Sequence, residues 1–366
     1  MRVAFVPADT GGCMYYRCWV PGQHLRRRGH DVSFVRHTND LAFQRADVAI
    51  FQRQCSPFAL GIARDVRKRG AVVLHEFDDN FHEMPASNPS APFFAGTSIA
   101  RTLEHFCVES HGLLVSTPDL ATEYSRFNQR TYVCYNAIDD RQAERFVRPL
   151  KSGAKREGQV RIGYAGSDTH AGDFAMILPA LCRLMITRPK VRLVFIGANQ
   201  RNLIPERFWG QTEFLGGTGS AADLPFDDPR ADATTERRLG SVSYYDVVQA
   251  ADFDIGIAPI APVTFNRCKS YLKVMEYGML GIPAVATRYG PYLQYQAEAK
   301  EPVVRLVDSP DAWEQVLQEM VDDAEMRVTL AGANHAYVHR AHLMSRRVRA
   351  WEDTLLAATA CRDTAA

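Results

Sequence analysis

The first 140 residues alternate between short apolar runs and longer amphipathic stretches. Runs such as RVAFVP, DVAIFQ and AVVLHE have the length of buried strands, and the stretch YYRCWVPGQHLRRRG spaces its apolar residues as one face of a helix does. A strand, a helix and a second strand at this spacing form a βαβ unit, which requires a parallel sheet covered by helices. The pattern therefore predicts a doubly wound α/β domain at the start of the chain.

The same alternation returns after residue 160, with the runs VRIGYAG, VRLVFIG, FDIGIAPI and IPAVAT. Residues 148–159 (RPLKSGAKREGQ) separate the two series and have the charge, glycine and proline content of a linker. Residues 216–240 are polar and aperiodic, which is typical of a mobile surface loop. The pattern thus predicts two doubly wound domains of similar size, followed by helical sequence from Asp311 to the end.

Composition narrows the class of protein. The chain has 366 residues, of which 46% are hydrophobic and 23% charged, and its formal net charge is +1. These values are typical of a soluble globular protein, and no apolar run approaches the ~20 residues that span a bilayer. The first apolar run breaks at Pro7, too early for a signal peptide. The eight cysteines form no CxxC pairs and no His-Cys cluster, so we expect a reducing cytoplasm and no zinc site.

Ligands of open α/β sheets bind at the carboxyl ends of the strands, so the strand-to-helix junctions carry the candidate chemistry. The junction after the first strand reads PADTGGCMYYR. Gly11 and Gly12 allow a tight turn and the close approach of a ligand, Arg17 is placed to reach an anion, and Tyr15 and Tyr16 lie between them. The sequence does not contain the full GxGxxG fingerprint with its acidic partner, which disfavours a nicotinamide enzyme.

The junction after the first strand of the second series reads GYAGSDTHAGDF. Gly166 and Ser167 end the strand, and the small residues leave backbone N–H groups free to face a phosphate. His170 lies in the same loop, where a histidine is more often solvated than functional. We therefore predict an anion site at Gly166 and Ser167, with His170 beside it.

The most informative junction reads APVTFNRCKSYLKVMEYGMLGIPAVAT. It predicts a helix from about Ser270 to Leu280 that Gly281 closes. Free N–H groups and the positive end of the helix dipole would lie near Lys269 and Ser270, which makes a phosphate site. Lys273 adds charge, and Glu276 follows one turn later. A simple ion pair between Lys273 and Glu276, worth ~0.2–0.5 kcal/mol, is the alternative interpretation.

The tail EYGMLGIPAVAT resembles the donor site of nucleotide-sugar glycosyltransferases of GT-B fold, specifically the retaining family four. Weaker matches, such as GHDV, VSTPDLATEY, YNAID and IGYAGS, extend the resemblance over most of the chain. It implies an α/β, GT-B architecture in which two Rossmann-like doubly wound domains face a cleft. The predicted divisions are an acceptor-side domain at 1–147, a linker at 148–159, a donor domain at 160–340 and a helix at 341–366 that crosses back to the first domain.

The resemblance also implies roles for single residues. Glu276 looks like the second Glu of the family's paired motif, which binds the ribose hydroxyls of the donor, whereas the first Glu falls at Cys268, so the motif is incomplete. The family's Arg and Lys after the first strand of the second domain are absent, and Lys269 and Lys273 would supply the missing charge to the diphosphate. The predicted donor-binding residues are Gly12, Arg17, Gly166, Ser167, His170, Asn266, Lys269, Ser270, Lys273 and Glu276.

The polar stretch VVLHEFDDNFHEMP follows a predicted strand of the first domain and is the candidate acceptor site. We predict Asp78, Asp79 and His75 as catalytic residues, and His82, Tyr15 and Tyr16 as acceptor-binding residues. A solvated loop capped by its own Asp and Asn side chains is the alternative. Asp78 or Asp79 acting as a general base would mean inversion, and carboxylates acting only as hydrogen-bonding groups would permit retention. The resemblance favours retention.

The sequence therefore predicts an enzyme that moves a sugar from a nucleotide-diphosphate sugar to an acceptor hydroxyl on a glycan, a small molecule or a modified DNA base. No cofactor is expected, and no dense Asp cluster near the donor site calls for a metal. Three alternatives stay open: transfer to hydroxymethylated bases in DNA, with Arg26–Arg28 and Arg64–Arg69 on the phosphates; sugar-nucleotide epimerisation; and sugar binding without turnover. The donor base, the sugar, the acceptor and the oligomeric state do not follow from the sequence.

Overall fold

The computed structural model describes residues 1–35, 41–146, 158–197, 203–215 and 241–363. They form two six-stranded sheets in which every strand pairs in parallel with its neighbours, and helices connect the strands. This arrangement confirms the predicted α/β class with two doubly wound sheets. Most of the predicted linker (148–157) and all of the predicted loop at 216–240 lie outside the described residues.

The first sheet has the strand order β2-β1-β3-β4-β5-β6. Every residue of β3, β4 and β5 is buried, as expected of parallel strands with helices on both faces. The order reverses between β1 and β3, so the loops that follow these two strands border the crevice where doubly wound sheets bind ligands. The strands are β1 Arg2–Val6, β2 Asp31–Phe34, β3 Val48–Gln52, β4 Val72–Phe77, β5 Gly112–Val115 and β6 Thr131–Val133.

The second sheet, taken from β9, has the order β9-β8-β7-β10-β11-β12. This is the 3-2-1-4-5-6 order of the Rossmann fold, and it reverses between β7 and β10. Three residues predicted to bind the donor lie at this point: Gly166 at the end of β7, Ser167 directly after it, and Asn266 in the helix Thr264–Arg267 that follows β10. The strands are β7 Val160–Gly166, β8 Val191–Gly197, β9 Thr212–Leu215, β10 Ile255–Ala258, β11 Ala284–Thr287 and β12 Arg305–Val307.

Helices cover both sheets, and several begin at the expected capping residues. Ser56 accepts a hydrogen bond from the backbone N–H of Ala59, and Thr117 accepts one from that of Leu120. None of the described helices combines the length and apolarity needed to cross a membrane. The α-helices are Gly12–Met14, Val20–Arg27, Leu41–Gln44, Pro57–Lys68, Ala91–Phe94, Thr97–Glu109, Pro118–Tyr124, Asp140–Arg145, Ala171–Thr187, Ser241–Ala250, Thr264–Arg267, Leu272–Met279, Gly290–Ala299, Ala312–Asp322, Ala324–Ala341 and Met344–Asp363.

Shorter helical turns complete this set. Tyr15–Trp19 forms a π-helical turn between the helices Gly12–Met14 and Val20–Arg27. The 3-10 turns are Phe81–Glu83, Asp168–His170 and Glu206–Gln211. A π-helical turn is rare, and such turns frequently lie at functional sites.

The C-terminal helix Met344–Asp363 packs against the first sheet. Trp351 is fully buried, with its ring centroid 6.3 Å from that of Phe5, and Glu352 accepts hydrogen bonds from Arg28 and is 2.9 Å from the His30 ring nitrogen. A β-bridge between Ile138, which follows β6, and Leu343, which directly precedes this helix, joins the two segments. The domain boundaries at 147 and 160 stay a prediction, because the chain between them is mostly outside the described residues.

Candidate functional site

The carboxyl ends of the two sheets face each other and touch. We call the carboxyl ends of β1, β3, β4, β5 and β6 and the residues that follow them the first edge. The second edge consists of the carboxyl ends of β7 and β10, the residues that follow them through the helix Leu272–Met279, and the helix Ser241–Ala250. Thr117 donates to the Cys268 carbonyl at 2.8 Å, and Asn136 donates to the Ser270 hydroxyl at 2.9 Å. The two edges therefore border one cleft, and residues predicted for the donor site and for the acceptor site come from both of its sides.

Asp78 directly follows β4 on the first edge. Its carboxylate lies 3.6 Å from the guanidinium of Arg53. The backbone of Arg53 has a φ of 53°, which is a strained value for a non-glycine residue. Burial on its own raises the pKa of Asp78, but Arg53, a hydrogen bond from Cys13, and the charge of Lys269 together hold it below its ordinary value. Asp78 is therefore ionised. The sequence reasoning missed Arg53, although it follows the carboxyl end of β3.

Asp79 of the first edge pairs with a cation of the second edge. Its carboxylate accepts a hydrogen bond from Lys269 Nζ at 3.1 Å. Lys269 also lies 4.5 Å from the centroid of the Phe265 ring, a favourable position for an ammonium. The two charged side chains keep 18% and 25% of their surface exposed. The pair therefore remains accessible to solvent and to a ligand.

His75 does not face the cleft. It is fully buried within β4, with the rings of Phe77 and Phe106 at 4.2 and 4.4 Å between centroids. Burial lowers the pKa of His75 to about 3, so the ring is neutral. The predicted catalytic role has no support from this position, because the ring is enclosed by apolar neighbours.

Arg17 is also buried, although the sequence predicted that it reaches the donor. Its Nε donates to Glu76 at 2.5 Å, and its Nη1 donates to the carbonyl of Cys134 and to Asn136. Neither Arg17 nor Glu76 has an exposed side chain. Burial raises the pKa of Glu76 to about 7, although Arg17 opposes the shift. Arg17 thus holds the first edge together, and its position does not support direct contact with the donor.

The other residues predicted on the first edge also include some that reach the cleft and some that pack within their own domain. Gly12 is exposed and begins a helix, and a side chain there would meet open space. Tyr15 and Tyr16 are 2% and 5% exposed, with their rings edge to face. His82 packs on Phe127 at 4.7 Å between centroids, and burial lowers its pKa. Tyr16 reaches the cleft, whereas His82 turns toward its own domain.

The loop after β7 is organised by Asp173, which lies in the first turn of the helix Ala171–Thr187. One oxygen of Asp173 lies 2.9 Å from His170 Nδ1, and the other accepts from Asn266 Nδ2 and from the Ala261 N–H, both at 2.8 Å. Asn266 is therefore engaged inside the second edge. Ser167 is exposed and lies 2.5 Å from the Thr169 hydroxyl. Gly166 ends β7 and lies next to Gly197, whose φ is 92°. A Cβ added at Gly197 would lie 2.6 Å from the Gly166 carbonyl oxygen.

Three basic side chains gather beside this loop. Burial lowers the pKa of His170, and the charges of Lys269 and Lys273 lower it further. Burial also lowers the pKa of Lys273, to which Lys269 again contributes. Lys273 Nζ donates to the carbonyl of Ala165, directly before Gly166, and His170 lies in the loop that follows. Lys269 precedes the helix that carries Lys273. We call His170, Lys269 and Lys273 the basic group of the second edge, in which the two lysines supply the positive charge that an anion needs.

The helix that carries Lys273 and Glu276 begins later than predicted, at Leu272, with Tyr271 at its N-cap. Ser270 precedes the helix and accepts the hydrogen bond from Asn136. The end is as predicted: Gly281 has φ 67°, and its N–H donates to the Gly278 carbonyl. The N-terminus of this helix lies beside the basic group, where its dipole adds to the positive charge.

Glu276 is 7% exposed and accepts two tyrosine hydroxyls. Tyr16 donates to Oε1 at 2.7 Å and Tyr244 donates to Oε2 at 3.0 Å. Lys273 instead donates to the Ala165 carbonyl, so the simple ion pair between Lys273 and Glu276 is not formed. Burial raises the pKa of Glu276, while Lys273 and both tyrosines oppose the shift. The tyrosine contacts could not be predicted from the sequence, because Tyr244 lies on a helix 32 residues before Glu276.

Two further features do not coincide with the cleft. In the described chain, one set of three potential metal ligands lies within 4.8 Å of one another, namely His24, Asp139 and Asp140; Arg27 is 3.1 Å from the His24 ring nitrogen. A cavity of about 540 Å³ lies at the amino ends of β4, β5 and β6, the end of the sheet opposite to that where such folds bind ligands. Neither contains a residue predicted for the donor, acceptor or catalytic site, so the charged edges remain the candidate site.

Comparisons with known proteins identify the fold. No protein-family model matches the chain, and no curated protein matches it. Among solved structures, HepE from Anabaena in complex with UDP is 13% identical, with 98% of this chain and 100% of that chain covered and a TM-score of 0.61. A glycosyltransferase from Rickettsia africae is 11% identical, with 97% and 98% covered and a TM-score of 0.60.

TarM from S. aureus, solved with fondaparinux, alpha-GlcNAc-glycerol and UDP, is 8% identical over 84% of this chain and 55% of that chain, with a TM-score of 0.57. At these identities the likeness concerns the fold. The chain has the GT-B fold, and the architecture predicted from the sequence is confirmed.

Proposed function

We propose that the chain is a glycosyltransferase that moves a sugar from a nucleotide-diphosphate sugar to an acceptor hydroxyl. The observation that carries the proposal is the Lys269–Asp79 contact, 3.1 Å long, which sets a basic group on one edge of the cleft against carboxylates on the other. In a GT-B fold this is the arrangement that transfer needs: cations for a diphosphate and carboxylates for hydroxyls. The fold is shared with HepE, whose structures contain UDP, UDP with glucose, and UDP-glucose.

The basic group would act on the leaving diphosphate. As the glycosidic bond breaks, negative charge grows on the phosphate oxygen, and Lys269 and Lys273 stabilise that charge more in the transition state than in the ground state. Lys273 is half-buried, which strengthens its interaction with an anion relative to a fully exposed lysine. Glu276 would hold ribose hydroxyls, because a carboxylate accepts two hydroxyl hydrogen bonds at once.

On the first edge, we propose that Asp78 and Asp79 bind hydroxyls of the sugar or the acceptor. A general base works best with a pKa near the working pH, and Arg53 keeps the pKa of Asp78 below its ordinary value. Asp78 is therefore better suited to accept hydrogen bonds than to remove a proton. This property supports transfer with retention. No metal or cofactor has a part in the proposal.

The nucleic-acid alternative depends on two arginine clusters whose side chains have partners within the chain. Arg64 binds both oxygens of Glu109, and Arg67 donates to the Glu109 carbonyl. Arg26 donates to the Val32 carbonyl and Arg28 to Glu352. These contacts give both clusters a structural role, and glycosyl transfer remains the function that we propose.

The test is a thermal-shift screen of the purified chain against UDP, GDP, ADP, CMP and dTDP with their common sugar conjugates, with and without EDTA. A ligand at 100 times its Kd adds about 2.7 kcal/mol to stability. We expect stabilisation by UDP and by a UDP-sugar, and persistence of the shift in EDTA. A chain that none of these nucleotides stabilises would contradict the proposal. Release of UDP from the selected donor, with the anomeric configuration of the product followed by NMR, then tests transfer and retention.

A further inference from the structure

The position of Tyr16 on Glu276 leads beyond the proposed donor site. Tyr16 belongs to the first edge, where the sequence predicted that it binds the acceptor, yet its hydroxyl donates to a carboxylate of the second edge at 2.7 Å. Tyr244 occupies the other oxygen of Glu276 at 3.0 Å. Two hydroxyls on one carboxylate are what a ribose would offer. We propose that Tyr16 takes the place of a ribose hydroxyl on Glu276 and must leave it when the donor binds.

The space around Glu276 supports exchange rather than simultaneous contact. Glu276 is 7% exposed, and Tyr16 and Tyr245 are 5% and 0% exposed. A ribose hydroxyl at hydrogen-bonding distance from Oε1 needs the position that the Tyr16 hydroxyl now fills. The two tyrosines differ in where they come from. Tyr244 shares the second edge with Glu276, so it can stay, whereas Tyr16 crosses from the first edge.

The local backbone of Tyr16 also fits a residue that moves. It lies in the π-helical turn Tyr15–Trp19, which interrupts the regular hydrogen bonding between the helices before and after it. The Tyr16 hydroxyl contacts the hydroxyl of Tyr245 as well as Glu276. A hydroxyl has one proton, so when Tyr16 donates to Glu276 it accepts from Tyr245. Tyr245 can therefore keep Tyr16 hydrogen-bonded after Glu276 has been taken by the nucleotide.

The opposing explanation is that Tyr16 permanently links the two edges. The two explanations predict opposite changes in UDP affinity when the Tyr16 hydroxyl is removed. If Tyr16 competes with the ribose, removal of its hydroxyl frees Oε1 and UDP binds more tightly. If Tyr16 only ties the edges, removal weakens UDP binding or leaves it unchanged. The inference rests on the proposed nucleotide site, so wild-type binding of UDP has to be measured first.

The experiment is isothermal titration of UDP and of 2′,3′-dideoxyuridine diphosphate into the wild-type chain, Tyr16→Phe and Tyr245→Phe. For Tyr16→Phe we expect the Kd of UDP to fall about tenfold, the contribution of one hydrogen bond to a charged group. The dideoxy nucleotide cannot contact Glu276 through ribose hydroxyls, so its Kd should not change. Tyr245→Phe is the matched control: it removes a hydroxyl bond between the edges and leaves the contact of Tyr16 with Glu276 in place.

Each result separates the explanations. A Kd for UDP that is equal or higher in Tyr16→Phe overturns the inference and leaves the proposed function standing. Equal tightening for both nucleotides, or the same tightening in Tyr245→Phe, also overturns it, since a looser interface would then be the cause. Wild-type protein that binds no nucleotide refutes the proposed function itself. Loss of one buried oxygen is expected to leave a folded chain, which thermal unfolding checks.

Discussion

The first edge and the second edge of the cleft each contribute a basic residue to a close charge pair, but the two pairs differ in burial and in what they connect. Arg17 and Glu76 are both fully buried and both belong to the first edge. Lys269 and Asp79 keep 18% and 25% of their side chains exposed, and they join the two edges. The sequence had predicted the same role, donor binding, for Arg17 and Lys269.

The difference separates a structural cation from one that a ligand can use. A buried pair cannot exchange its partner without leaving an unpaired charge in a low dielectric, which is strongly unfavourable. A partly exposed pair between two edges gives up its partner to solvent at little cost. Arg17 therefore has no freedom to meet an incoming diphosphate, whereas Lys269 does. Four predictions test this contrast.

The largest effect is expected at Arg17. Arg17→Met leaves Glu76 buried without its cation, so the free energy of unfolding should fall by about 3–5 kcal/mol. Chemical denaturation measures this loss. The Kd of UDP for the folded fraction should stay within about threefold of wild type, because Arg17 does not touch the ligand in our proposal.

Arg17→Met combined with Glu76→Gln is the matched control, since it removes both charges and should recover most of the lost stability. A single variant that remains stable but binds UDP more than about tenfold more weakly would contradict the contrast. It would return Arg17 to the donor role that the sequence predicted.

The next effect is expected at Lys269. Lys269→Met removes a cation that stabilises the developing negative charge, so donor turnover should fall by about 10²–10³. The UDP release assay measures it. Lys190→Met removes an exposed lysine that precedes β8, at the other end of the same sheet, and should leave turnover unchanged. Equal turnover in Lys269→Met and Lys190→Met would mean that the Lys269–Asp79 contact only links the two edges and does not contribute to turnover.

The two sheets and the helix of Glu276 show how much of the fold can be predicted from the sequence. The strand-helix rhythm predicted both sheets, because parallel strands need continuous apolar runs and helices need an amphipathic spacing, and both are visible in one sequence. The helix of Glu276 and its closing glycine at Gly281 were predicted for the same local reason. Even there, the helix begins at Leu272 rather than Ser270, since Ser270 is engaged by Asn136 of the first edge.

The site was harder to predict, because its contacts join segments far apart in the chain. Asp78, Asp79 and Lys269 were identified from their junctions, and they do lie together. Arg17 sits at a junction of the same kind, but its partner Glu76 is 59 residues away, and nothing local distinguishes a buried cation from a free one. Tyr244 and Tyr16 reach Glu276 only through the packing of the two edges, which a single sequence does not record.

His75 gives a smaller effect and tests the first edge through pH. The folded chain keeps His75 neutral, with a pKa of about 3, whereas the unfolded chain binds a proton near pH 6.5. The unfolded state therefore binds more protons between pH 6.5 and pH 3, and the free energy of unfolding falls as the pH falls through this window. At pH 5 this one residue should remove about 2 kcal/mol of stability relative to pH 7.

His75→Leu abolishes that contribution, so its stability should fall about 2 kcal/mol less than that of wild type between pH 7 and pH 5. Chemical denaturation at the two pH values measures the difference. His105→Leu, at a histidine whose side chain is 59% exposed, controls for the removal of an imidazole as such. Parallel pH profiles for wild type and His75→Leu would mean that His75 can take up a proton in the folded chain.

The smallest effect compares the two histidines in catalysis. His75 lies between Phe77 and Phe106, and His170 lies beside Lys269 and Lys273 at the second edge. At a pH where both variants are fully folded, His75→Leu should turn over the donor within about twofold of wild type, because a residue that does not contact substrate affects the rate only through packing. His170→Asn keeps a polar side chain but removes the ring, so its turnover should fall about threefold to tenfold. A folded His75→Leu whose donor turnover falls more than tenfold would contradict the contrast. His75 would then take part in catalysis although it lies in the core.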